Sequence, residues 1–168
     1  MREMSEDMGK ALVAYFSWSG ATRGLAKTIA DKTGADLFEV NPVPRYTRDY
    51  TRVMSQGREE VRDGFRPVID EAGLDLNEYD TVFVGTPDWW GTMAPPIASL
   101  LENHDWTGKT IMPFCTHGGG GKGSAERDMR KMCPGADIRK TFVSRSRDHA
   151  ASTQKLEEWI EDNHLDLA

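Results

Sequence analysis

The sequence predicts an α/β fold, a parallel sheet covered by helices on both faces. Short continuous apolar runs alternate with amphipathic stretches along the chain, and the runs have the composition of strands buried on both sides. Glycine, hydroxyl and aromatic residues cluster directly after the first, third and fourth runs, where open α/β sheets place their ligand loops. Five β–α units in series imply right-handed crossovers between parallel neighbours.

Ala11–Phe16 is the first strand, and Gly24–Thr33, with Leu25, Ile29 and Ala30 at helical spacing, the first helix. Asp36–Val40 is the second strand, stopped by Pro42 and Pro44, and residues 47–64 form a polar helix with Val53 and Val61 facing inward. Phe65–Asn77 shows no period. Tyr79–Gly85 is the third strand, and Pro95–Asn103 is a helix whose prolines sit in its first turn, where a missing N–H costs little. Lys109–Cys115 is the fourth strand, and Ser124–Met132 is a helix with Ser124 positioned as its N-cap. Ala136–Val143 is a weaker fifth strand, and Ser152–Asn163 closes the chain as an amphipathic helix.

At 168 residues, the chain fits a single domain over residues 10–168, preceded by a loose polar tail at residues 1–9. The net charge of −6 argues against a nucleic-acid partner and fits docking on the basic face of a partner protein. No stretch reaches the roughly 20 apolar residues of a membrane span, so no membrane partner is expected. Two cysteines, Cys115 and Cys133, suit a reducing cytoplasm.

Three loops carry the chemistry. "SWSGAT" (residues 17–22) joins a strand to a helix, where unpaired N–H groups and the helix dipole favour a phosphate, although such hydroxyls also serve as plain caps. "TPDWWGTMAPP" (residues 86–96) holds Trp89 and Trp90 on a loop, so both cannot face the core and one is expected to line a site. "THGGGGKGS" (residues 116–124) is either a flexible connection or a place where backbone approaches a planar ligand closely.

Other chemistries fail on spacing. "TGKT" at residues 107–110 has Asn103 where a Walker loop needs glycine, and "GGGGKGS" has Gly123 where the hydroxyl residue should follow Lys122. No G-x-G-x-x-G follows the first strand, no G-x-S-x-G surrounds Ser17, and the histidines lack metal-ligand spacing. Cys115, at the end of an apolar strand, reads as a core residue. No catalytic or metal-binding residue is assigned.

Together the three loops resemble those of the flavodoxins, specifically the short flavodoxin-like group with a Y-F-S-x-T-G-N-T turn, a P-x-W-W-G loop and a T-S-G-G loop. The likeness runs from about Leu12 to Val143. It implies a doubly wound five-stranded parallel sheet, order 2-1-3-4-5, binding FMN. Ser17, Ser19, Gly20, Ala21 and Thr22 would embrace the phosphate. Thr86, Pro87, Trp89, Trp90 and Gly91 would flank the isoalloxazine, and Thr116, His117, Gly118 and Gly119 would hold its pyrimidine edge. Ala21 stands where the family has Asn, Thr86 where it has Tyr, and His117 where it has Ser. The implied function is an electron carrier cycling between oxidised, semiquinone and hydroquinone FMN, with the Gly91 carbonyl turning to accept the N5–H. The alternative is an FMN-dependent NAD(P)H reductase of quinones or nitro compounds.

Overall fold

The computed structural model describes residues 10–146 and 149–163. The tail expected at residues 1–9 lies outside them. In chain order the elements are β1 (Lys10–Tyr15), α1 (Ala21–Thr33), β2 (Asp36–Glu39), β3 (Asn41–Pro42), α2 (Tyr50–Asp63), β4 (Ile69–Asp70), a 3-10 turn (Leu76–Glu78), β5 (Tyr79–Trp89) and β6 (Thr92–Met93). They continue with α3 (Pro95–Glu102), β7 (Thr110–His117), α4 (Ala125–Met132), β8 (Asp137–Ile138), β9 (Phe142–Arg145) and α5 (His149–Asp162).

The main sheet runs β2-β1-β5-β7-β8, with β9 also on β7. The pairs along this path are parallel. With β8 and β9 taken as one interrupted strand, this is the expected 2-1-3-4-5 order. Alternate residues of each strand enter opposite cores. Val13, Phe83, Met112 and Phe114 meet Leu25 and Ile29 of α1 and Leu156 and Ile160 of α5. Leu12, Val82, Val84 and Ile111 meet Ile97 and Leu101 of α3 and Met129 of α4. Burial on both faces is why these strands read as unbroken apolar runs. At Gly85 a Cβ would lie 2.2 Å from the Phe114 ring, so only glycine lets that ring cross the neighbouring strand.

The main departures from the sequence expectation are four. β5 continues past Gly85 to Trp89, because Pro87 still pairs with Thr116 of β7 and because Asp88 and Trp89 form a hairpin with Met93 and Thr92. The segment 86–93, expected as a loop, is therefore mostly strand. The fifth strand breaks at residues 139–141, where Thr141 directs its N–H and hydroxyl to Glu126 of α4, at 2.9 and 2.6 Å. Within the aperiodic stretch 65–77, Ile69–Asp70 pairs antiparallel with Asn41–Pro42. Helix α1 begins at Ala21, three residues before Gly24, directly after the left-handed Gly20. Among the described residues, no helix is long and apolar enough to cross a membrane.

Candidate functional site

The parallel register brings Tyr15 beside Gly85 and Pro87 beside Thr116. The three chemistry-bearing segments therefore leave the sheet at one end, side by side.

In the first, Ser17 Oγ accepts the Gly20 N–H at 3.1 Å, fixing the turn. The N–H groups of Ala21, Thr22 and Arg23 open α1 without intrahelical acceptors, as in any helix, and make the end of the turn a donor cluster. Ser19 is exposed, whereas Thr22 is buried and its hydroxyl lies 2.8 Å from that of Thr116. The two threonines thus bind each other beneath the turn, which ties Thr116, expected at the pyrimidine edge, to the Ser17–Thr22 turn. Arg23 turns to Glu39 at 2.5 Å. Ala21 places its methyl in a hollow behind the turn with Gly24, Leu25 and Thr28.

The second segment is a hairpin. Trp90 and Gly91 both have positive φ, 56° and 86°, as the two central residues of a type I′ turn require. For tryptophan this costs roughly 1–2 kcal/mol, and such strain persists only where the surroundings fix it. The indole N–H of Trp90 donates to the Met54 carbonyl at 3.0 Å, and Arg58 lies over the ring at 5.7 Å. Trp89 turns the other way and makes edge contacts with Phe16 and Tyr46, at centroid distances of 5.5 and 5.0 Å. Its ring lies over Gly57, where a Cβ would approach to 3.0 Å. Trp89 is thus a packed wall, and Trp90, about half exposed, is the free ring. Thr86 is fully buried; its hydroxyl donates to the Pro87 carbonyl and accepts the Ala94 N–H at 2.9 Å. That side chain braces the hairpin.

The third segment closes on the second. The Gly91 carbonyl accepts the Ser124 N–H at 2.7 Å, and the Ser124 hydroxyl lies 3.1 Å from it. Ser124 occupies the N-cap position of α4, yet it makes no side-chain cap bond and faces Gly91 and Asp128 instead. The Gly91 carbonyl, expected to turn toward a flavin N5–H, is therefore already committed. His117 folds back so that its Nδ1 accepts the Gly119 N–H at 3.0 Å. A Cβ on Gly91, Gly118 or Gly121 would meet nothing within 4 Å, so bare backbone is open on both segments, a slot narrowed where Gly120 abuts Asp88 and Gly123 abuts the Gly91 carbonyl.

Beside this slot is a hollow of about 260 Å³ walled by Trp18, Tyr50, Met54, Asp88, Trp89 and Trp90. Trp18 is held by its indole N–H on the Thr47 carbonyl at 2.9 Å. Asp88 accepts the Gly91 N–H at 3.1 Å; burial pushes its carboxyl above the usual range, against the opposing pull of that bond and of His117. Trp18, Tyr50, Met54 and Asp88 escaped the sequence reading. Tyr50 and Met54 stand four apart on one helix face, and Asp88 lies inside the Pro87–Trp90 motif, so the signals existed; the fold was needed to bring them together. Cys115 is a fully buried core residue, and burial pushes its thiol up to about 12.

The sequence matches the flavodoxin family over residues 10–163. The chain belongs to the flavodoxin family. Among solved structures, this flavodoxin-family chain is similar to a flavoprotein from Bacteroides uniformis ATCC 8492, at 31% identity over 89% of this chain and 98% of that one, with a TM-score of 0.79. A flavoprotein from Bacteroides eggerthii DSM 20697 matches at 29% identity, 89% and 98% coverage and a TM-score of 0.74. A flavoprotein from Lactobacillus acidophilus NCFM, solved in complex with FMN, matches at 24% identity, 90% and 98% coverage and a TM-score of 0.68. The last of these shows likeness of fold alone. The family's switch-point end is the end at which the three segments converge.

Proposed function

We propose that this chain is an FMN-binding electron-transfer protein. The observation that carries the reading is the convergence, at one end of the sheet, of the α1 donor cluster, the glycine-lined slot and the aromatic hollow. The residues fit the group. The Ser17–Thr22 turn would take the phosphate dianion on backbone N–H groups and the Ser19 hydroxyl, with the helix dipole adding to the attraction. The slot between Gly91 and Gly118 would take the ring edge, with Trp90 on one side, while Trp89, packed on Phe16 and Tyr46, keeps water from the inner wall. Bound FMN supplies reversible one- and two-electron transfer, and the protein sets its access and electrostatics.

One observation favours a second reading, an NAD(P)H-dependent reductase of quinones or nitro compounds: the Gly91 carbonyl on which the carrier reading leaned is held by Ser124. Adding FMN to flavin-free protein, following flavin fluorescence, and then reducing the complex stepwise separates the readings. The carrier predicts tight binding and a long-wavelength absorbance band at half reduction, with no bleaching by NADH or NADPH. Bleaching by either nucleotide, with turnover on a quinone, makes it the reductase, and no flavin binding removes both.

A further inference from the structure

Acidic side chains gather where the main strands begin, and unpaired arginines gather near the opposite end. Because the main strands are parallel, the beginnings of β2, β5, β7 and β8 lie at one end, and there stand Asp36, Asp75, Glu78, Asp80, Asp105 and Asp137. Cations at that end include Lys10, Lys32, Lys109, Lys131 and Arg139; Lys32 is paired with Glu157, Lys109 is spent on the carbonyls of Leu76 and Tyr79, and Arg139 on Asp137. The site end is opposite in sign. Arg45 and Arg48 on the loop and Arg58 over Trp90 stand beside the hollow, whereas Arg52 lies with Glu59 and Asp63 on another face of α2; between Arg45 and Arg58 the sole acid is Asp49. That carboxylate accepts the Arg52 N–H at 3.0 Å as the cap of α2. Beyond Arg58, Glu59 is exposed and Glu60 is held by Tyr46 and Gln56. Across the slot, Arg145 adds positive charge, Lys122 is paired with Glu126 at 3.3 Å, and the half-buried Asp88 is turned onto Gly91. Among the described residues, Arg45, Arg48, Arg52, Arg58 and Arg145 have no ion-pair partner.

Inside this rim sits an exposed apolar centre. Tyr50, Met54 and Trp90 are 64%, 39% and 49% exposed and adjoin one another through the Trp90–Met54 hydrogen bond. Aromatic residues and methionine within an arginine border are the composition of an interface core and rim. The arginines are strung along a loop and two turns of helix and do not converge on one point, which suits an extended anionic surface better than a single diphosphate.

We propose that this face docks the carboxylate-rich surface of a protein redox partner, the reverse of the docking polarity expected from the net charge. The redox use of the face rests on the electron-carrier reading; its polarity does not. Steering would follow the local field, since charge near the docking edge weighs more than charge a protein diameter away.

The test needs no flavin. Trp106 and Trp159 are 1% and 8% exposed, so collisional quenching of tryptophan fluorescence reports on Trp90 together with the part-buried Trp18 and Trp89, all three of which wall the same hollow. At low salt, with each quencher normalised to its effect on free N-acetyltryptophanamide, iodide should quench at least about twofold more effectively than caesium despite the overall negative charge, and the Arg45→Glu/Arg48→Glu/Arg58→Glu variant should invert the normalised order. Poly-L-glutamate should shield Trp90 from neutral acrylamide, lose that effect in roughly 0.5 M salt, and have no counterpart with poly-L-lysine. Stronger quenching by caesium in the unaltered protein, or shielding by poly-L-lysine, overturns the proposal. Shielding by ADP-ribose without shielding by poly-L-glutamate also overturns it, in favour of a dinucleotide. Failure to bind FMN would remove the carrier reading and leave these outcomes as they stand.

Discussion

The hydroxyls of Thr22, in the first turn of α1, and Thr116, near the end of β7, meet at 2.8 Å in a buried contact between residues 94 apart in sequence. This bond joins the Ser17–Thr22 turn to the glycine-rich segment, so two of the three converging segments share one anchor.

Replacing Thr22 with valine preserves shape but leaves the Thr116 hydroxyl buried without its partner, which costs about 1–3 kcal/mol. Urea denaturation of Thr22→Val should show that loss. Thr22→Val/Thr116→Val should recover part of it, because removing both polar groups avoids the orphaned hydroxyl. Additive losses would mean that the two hydroxyls do not interact.

Trp90 and Trp89 should respond in opposite ways. Trp90→Gly removes a side chain from a left-handed position, so thermal stability should hold or rise, while FMN affinity falls by about 1–3 kcal/mol through lost stacking and burial. Trp89→Ala should instead destabilise the fold by roughly 2–4 kcal/mol, since its ring is packed on Phe16, Tyr46 and Gly57. Paired thermal melts and flavin titrations check both.

Gly123 has φ of 54°, and a Cβ there would lie 2.2 Å from the Gly91 carbonyl oxygen. Gly123→Ala must push the α4 entrance off the Gly91 turn and break the Ser124 contact. FMN affinity should fall at least about tenfold, which is roughly 1.4 kcal/mol. An unchanged dissociation constant would show that the clasp between these loops does not shape the slot.

Glu126 governs part of the acid stability. Burial pushes its carboxyl up, but hydrogen bonds from the Thr141 hydroxyl and N–H, together with Lys122, hold it at about 2, below its ordinary 4.5. Its folded value is depressed, so its contribution is present above the unfolded value and lost as pH falls from about 4.5 toward 2. Glu126→Gln should lower stability at neutral pH by roughly 2 kcal/mol, as hydrogen bonds to a charged group are lost, and flatten the pH dependence in that window. Chemical denaturation at stepped pH provides the measurement.

The sequence by itself determined the strand and helix series, the order of units and the three loops that cluster at one end. These are local properties: double burial produces continuous apolar runs, helical faces keep their period, and glycine, proline and hydroxyl residues act on the backbone beside them. Only the tertiary structure decided which polar groups are spent and which remain for a ligand. Thr22 is paired with Thr116, Thr86 with Ala94, and the Gly91 carbonyl with Ser124, because sheet register and crossovers bring together groups that composition cannot connect. The hairpin that sends Trp89 inward and Trp90 outward depends on antiparallel pairing with residues 92–93, which a two-residue strand scarcely announces. The same holds for charge. A net of −6 is a sum over the chain, whereas the fold brings Arg45, Arg48, Arg58 and Arg145, from separate segments, around one end of the sheet.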